Sequence, residues 1–92
     1  MKRSDVVATV IEILTSIEAA IGATPPAIIT EGTTPIGDLP MFDSILAEDT
    51  TVEIFRRFGL QADVDENPFI VNRKACTVGQ VVDRVCSLLE AA

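Results

Sequence analysis

Between Ser4 and Ile21 the apolar residues Val6, Val7, Val10, Ile11, Ile13, Leu14, Ile17 and Ile21 recur mostly at spacings of three and four, forming one wide stripe on a helical period. This predicts a first helix. Ser4 is its expected N-cap, Asp5 places negative charge in the first turn where the helix dipole favours it, and Gly22 ends it in a left-handed turn. From Ala23 to Phe42 the pattern breaks: Pro25, Pro26, Gly32, Pro35, Gly37 and Pro40 exclude a regular element, whereas Ile28, Ile29, Ile36 and Leu39 are apolar anchors that predict a packed loop. Uninterrupted loops of this length are uncommon in compact domains unless functional or disordered, so the residues at its exit, Phe42, Asp43, Ser44 and Ile45, carry weight.

A second helix is predicted from Ser44 to about Phe58 on Ile45, Val52, Ile54, Phe55 and Phe58, with Gly59 ending it. Its middle, Glu48 to Thr51, puts acidic and β-branched residues where a strong helix carries leucine or alanine, which argues against an undistorted helix there. Between Leu60 and Ala75, Pro68 is placed to open a short third helix carrying Phe69, Ile70 and Val71. Thr77 caps a last helix in which Val78, Val81, Val82, Val85, Leu88 and Leu89 return to the spacing of three and four, as far as about Glu90. No strand, repeat or low-complexity segment is read. The expected fold is all-α, a small antiparallel bundle of three main helices plus one short helix, in a single domain over residues 1–92.

Composition narrows the class. With 92 residues, 48% of them hydrophobic, the chain suffices for one core. Its four aromatic residues are all phenylalanines, a poor basis for a base-stacking platform, and its formal charge of -7 repels phosphate backbones and anionic headgroups. Nucleic acid is therefore not an expected partner; enzymes with basic patches are. The apolar runs fall short of the roughly 20 residues a bilayer span needs, and Asp5 and Glu12 stand where a signal peptide has a clean apolar core. The expectation is a cytoplasmic monomer with no membrane insertion.

Cys76 and Cys86 form no CxxC pair, and the chain contains no histidine, so a zinc site of the usual kind is not expected and both thiols read as small core or core-edge hydrophobes. The missing histidine also removes the usual general base of a serine or cysteine nucleophile, and stand-alone enzymatic activity is not expected.

The stretch Gly37, Asp38, Leu39, Pro40, Met41, Phe42, Asp43, Ser44, Ile45 resembles the signature of the acyl carrier protein family, in which a DSL, DSI or DSM tripeptide follows a long loop at the start of helix two. Phe58 and Gly59 resemble the family's close of that helix, and Thr77, Val78, Gly79 its T-V-G opening of the last one, so the likeness covers nearly the whole chain. A three-residue motif alone is weak; length, charge and helix order make it informative. The resemblance implies that Ser44 receives 4'-phosphopantetheine from coenzyme A through a phosphopantetheinyl transferase, with Asp43 engaging the transferase, and that the arm then carries acyl-type thioesters between acyl-loading and acyl-using enzymes. It further implies that Asp38, Ile45, Glu48, Asp49 and Glu53 meet basic patches on those partners. There is a physical reason for such placement, since an anion gained at a helix N-terminus meets free N–H groups and the dipole.

Other readings stand beside these. Leu39, Pro40, Met41 and Phe42 depart from the leucine-glycine approach common in fatty-acid carriers and look more like stand-alone carriers of specialised pathways. A peptidyl or aminoacyl carrier usually has paired glycines before the serine, which are missing here. Glu48, Asp49 and Glu53 equally suit an ordinary solvated helix face. Arg56 and Arg57 suit the C-terminal end of a helix dipole. Met41 and Phe42 suit a hydrophobic staple as well as the mouth of a pantetheine site. An unmodified acidic interaction module, with Ser44 as a plain helix cap, is the reading from a different class.

Overall fold

In the computed structural model, which describes residues 2–22, 28–61 and 66–91, the apolar stripes form the expected main helices. Helix α1 spans Arg3–Ala20, α3 spans Ser44–Arg57 and α4 spans Val78–Ala91, with a short α2 at Pro35–Asp38 and strands β1 (Ile70–Val71) and β2 (Lys74–Ala75). Val6, Val10, Ile13 and Leu14 of α1, Ile54 and Phe55 of α3, and Val78, Val81, Val82 and Val85 of α4 meet in one core, into which Phe42 and Phe69 also project. Burying that apolar area supplies the main stabilisation, at about 25 cal/mol per Å².

Local signals decide most helix ends. Gly22 and Gly59 adopt φ of 81° and 69°, the left-handed region where glycine escapes the Cβ clash. Thr77 forms a capping box with Gln80, its hydroxyl accepting from Gln80 N at 3.2 Å while its own N–H donates to Gln80 Oε1 at 2.8 Å. The start of α1 departs from expectation. Ser4 is not the cap: the helix begins at Arg3, behind Lys2, which makes no side-chain cap bond. Arg3 in that first turn reaches Glu31 at 2.6 Å and Asp83 at 3.1 Å, contacts that a capping preference read from sequence does not anticipate.

The loop after α1 packs in part as expected. Ile29 and Leu39 are buried, whereas Ile28 is 90% exposed and anchors nothing. Pro25 and Pro26 lie outside the described residues. The carbonyls of Thr33 and Glu31 accept from Val78 N and Gly79 N at 2.8 and 2.9 Å, docking the loop onto the first turn of α4. A Cβ at Gly79 would sit 3.4 Å from the Glu31 carbonyl oxygen, close to ordinary contact distance, so the approach is tight without requiring glycine. Within α2, Ile36 and Gly37 have non-helical dihedrals, so the loop is punctuated by a kinked turn, not by a regular helix.

Two expectations fail. The centre of α3 is regular despite its composition, because Thr50 and Thr51 are buried and their hydroxyls donate to Leu46 O at 2.7 Å and Ala47 O at 2.8 Å. Each side chain satisfies its own polar atom on the helix it would otherwise weaken. The predicted short helix after Pro68 is absent: Ile70 and Val71 pair antiparallel with Ala75 and Lys74, a short departure from an otherwise helical fold. Asn67 Oδ1 instead accepts from Phe69 N at 3.1 Å, turning the chain, and Asn72 and Arg73 take φ of 53° and 65°, as a two-residue hairpin turn requires. The fold is mostly helical with one hairpin, and that hairpin is seated by Phe69, whose ring lies 5.4 Å from that of Phe42.

Candidate functional site

At the start of α3, Asp43 is the N-cap: its Oδ1 accepts from Leu46 N at 2.9 Å and its carbonyl from Ala47 N at 2.9 Å. Ser44 is thus the first helical residue and not the cap, so the premise of the plain-cap reading is corrected. Asp43 takes the role because its carboxylate reaches the third N–H from the extended backbone that a cap needs. The Ser44 hydroxyl is exposed and makes no hydrogen bond among the described residues. The N–H groups of Ser44 and Ile45, which have no intrahelical acceptor, open onto the same end of the helix.

Around this hydroxyl the surface mixes apolar and acidic groups. Met41 is 74% exposed at φ 61° and Ile45 is 69% exposed, while its neighbour Phe42 turns inward to the core. Glu48 and Asp49 are exposed one helical turn beyond Ser44 and Ile45 and make no ion pair among the described residues. Ile45 and Val52, counted from sequence as apolar positions of the helix, face solvent instead, and Val52 joins the exposed face although no motif marks it.

The remaining predicted residues are engaged elsewhere. Glu53 is half-buried and grips Arg56 at 2.8 Å, with Arg57 at 3.5 Å, and Arg57 also lies 3.7 Å from Glu12 of α1. Both arginines therefore combine favourable dipole placement with ion pairing. Asp38 accepts from Thr34 N at 2.7 Å and stabilises the kinked turn of α2. The predicted set thus divides into an exposed group, Asp43, Ser44, Ile45, Glu48 and Asp49, and two acids with local structural duties.

An apolar groove of about 390 Å³ runs between α1 and α3, lined by Ile13, Ile17, Ala20, Leu46 and Asp49 among others. It begins within a turn of Ser44. A larger cavity, about 530 Å³, lies away from that serine between the hairpin and α4, with Ile70, Cys76, Gln80 and Arg84 on its walls. Both cysteines are free, Cys76 buried and Cys86 half-buried, as core-edge thiols should be. Among the described residues no cluster of three or more His, Cys, Asp or Glu side chains is placed to hold a metal ion, and no helix is long and apolar enough to cross a membrane.

Sequence reasoning missed Glu18. It sits on the buried side of α1, 1% exposed, and neither carboxyl oxygen has a hydrogen-bond partner among the described residues. Burial alone raises its pKa above the ordinary carboxylate range. The signal was present: position 18 continues the apolar line through Val7, Ile11 and Leu14, so a helical projection places a glutamate among core positions.

The chain matches no protein-family model, no curated protein and no solved structure.

Proposed function

We propose that this chain is a carrier protein that holds acyl-type intermediates as thioesters on a 4'-phosphopantetheine arm attached to Ser44. The observation that carries the reading is the unengaged Ser44 hydroxyl at the N-terminus of α3, with Asp43 doing the capping that a serine there would otherwise do. Attachment would place a phosphodiester beside the free N–H groups of Ser44 and Ile45 and the positive end of a 14-residue helix, where an anion is favoured. The chain has no histidine to activate this hydroxyl, which suits a group modified by another enzyme's machinery. The prosthetic arm supplies the thiol and the reactive thioester, and the chain supplies exposure and recognition.

Glu48 and Asp49, exposed and unpaired, with Ile45 between them and the serine, are the proposed contacts for basic patches on the transferase and on acyl-loading and acyl-using enzymes. Asp43 carries the charge nearest the modified serine. The groove between α1 and α3 offers an apolar course for the arm or a short acyl chain. A small bundle whose acidic helix opens at the modified serine is the arrangement that the likeness to acyl carriers implies.

The test is the intact mass of the purified chain before and after incubation with coenzyme A, magnesium and a broad-specificity phosphopantetheinyl transferase. One added phosphopantetheine group, absent in Ser44→Ala, is the expected result. Because Asp43 and not Ser44 makes the cap bond, Ser44→Ala should keep its denaturation midpoint, so its failure to load would be chemical and not structural. No mass gain alongside a carrier that does load would transfer the reading to an unmodified interaction module.

A further inference from the structure

The chain's cations are distributed unevenly. Arg3, Arg56, Arg57 and Arg84 are all held by carboxylates, at 2.6 to 3.7 Å. Lys2 aside, the cations without an ion-pair partner among the described residues are Arg73 and Lys74, adjacent at the tip of the hairpin and exposed. Beside them Val71, paired in register with Lys74, is 50% exposed.

The turn beneath this pair is strained. Asn72 tolerates a left-handed φ, but Arg73 at 65° occupies the position where a two-residue hairpin of this kind ordinarily has glycine. A long β-carbon-bearing side chain kept at that position is a local cost, and such outliers motivate a search for function. The presentation is also firm: the base is pinned by Phe69 in the core, by Cys76 N donating to Phe69 O at 2.8 Å, and by the Phe42 ring. A surface ordered in advance loses less freedom on binding.

We propose that the hairpin tip, Val71 with Arg73 and Lys74, is a docking point for a short acidic segment of a partner protein that carries an apolar residue among its carboxylates. One guanidinium and one ammonium beside a half-exposed valine fit that chemistry. The chain's charge of -7 repels long polyanions, whereas a short segment with few charges meets less of that repulsion, the more so at physiological salt where the Debye length is about 8 Å. The proposal does not depend on modification of Ser44. Charge at a short strand edge also discourages edge pairing between molecules, so the experiment separates binding from that protective role.

The probe is a capped eight-residue peptide alternating glutamate and valine, titrated into the isotopically labelled full chain at low salt while backbone amide shifts are followed. The expected shifts are confined to the hairpin and fade as salt is raised. Arg73→Gly should raise the denaturation midpoint by relieving the turn, yet weaken peptide binding roughly threefold or more; Arg73→Glu with Lys74→Glu should abolish it. Any of four results overturns the proposal: no shifts at millimolar peptide, equal shifts with a lysine-valine peptide, unchanged binding by the charge-reversed variant, or tighter binding at the tip by a DNA duplex or anionic vesicles.

Discussion

Glu18 and Asp43 show how differently one functional group behaves in two places. Asp43 is exposed and satisfied, its carboxylate taking the Leu46 N–H, so Asp43→Ala should cost about 1 kcal/mol in urea denaturation while Asp43→Asn, an equally good cap, leaves stability within a few tenths. If the negative charge itself serves the transferase, Asp43→Asn will nonetheless load more slowly than the native chain, which a timed mass assay would reveal. Glu18 is buried and unsatisfied, with a raised pKa. A group that binds its proton more tightly when folded contributes stability in acid, and that contribution is lost as pH rises through its folded-state pKa. Glu18→Gln should therefore flatten this part of the pH dependence, and Glu18→Met should stabilise the chain at pH 7 by about 1–3 kcal/mol. Denaturation curves across pH, compared as differences from the native chain, would check both; an unchanged slope would mean that Glu18 does not titrate from a buried state.

At the scale of elements, the hairpin and α3 both defied composition, each through its own hydrogen bonds. Thr50 and Thr51 are poor helix formers in isolation, yet back-bonding to Leu46 O and Ala47 O satisfies their hydroxyls and lets both be buried. Pro68 and the apolar run behind it suited a helix opening, but Asn67 diverted the turn and the β-branched Ile70 and Val71 found partners in Lys74 and Ala75. A two-stranded ribbon this short does not stand alone; Phe69, wholly buried and set against Phe42, is what secures it. Phe69→Ala should accordingly cost about 3–5 kcal/mol and selectively release amide protection across the hairpin. Loss of global stability with hairpin protection intact would place the anchor elsewhere. The helix ends were easier to read, since Gly22, Gly59 and the Thr77–Gln80 box act through neighbours in sequence.

For the whole molecule, the charge of -7 frames how it meets others. Under the carrier reading, association with a loading enzyme should be weak, fast and salt-sensitive, and Glu48→Lys with Asp49→Lys should slow association more than it speeds dissociation, as stopped-flow binding would report. Salt-independent association would count against the acidic face. Surface ion pairs such as Arg3–Asp83 add little each, about 0–1 kcal/mol, so the bundle rests mainly on its apolar core. By itself the sequence determined three main helices, the glycine ends of the first two, a long, partly packed loop leading to Ser44 and an acidic, histidine-free composition, because periodicity, caps and charge are local or additive properties. Only the tertiary structure decided that Asp43 caps and leaves the serine hydroxyl free, that Glu53 and Asp38 are spent on Arg56 and Thr34, that Glu18 is sealed without a partner, and that Pro68 leads into a hairpin. The contacts of Asp43, Glu53 and Asp38 span three or four residues, and the folded backbone selects them among competing local partners; the sealing of Glu18 and the seating of the hairpin against Phe42 need groups from distant parts of the chain, and burial and desolvation exist only once those have met.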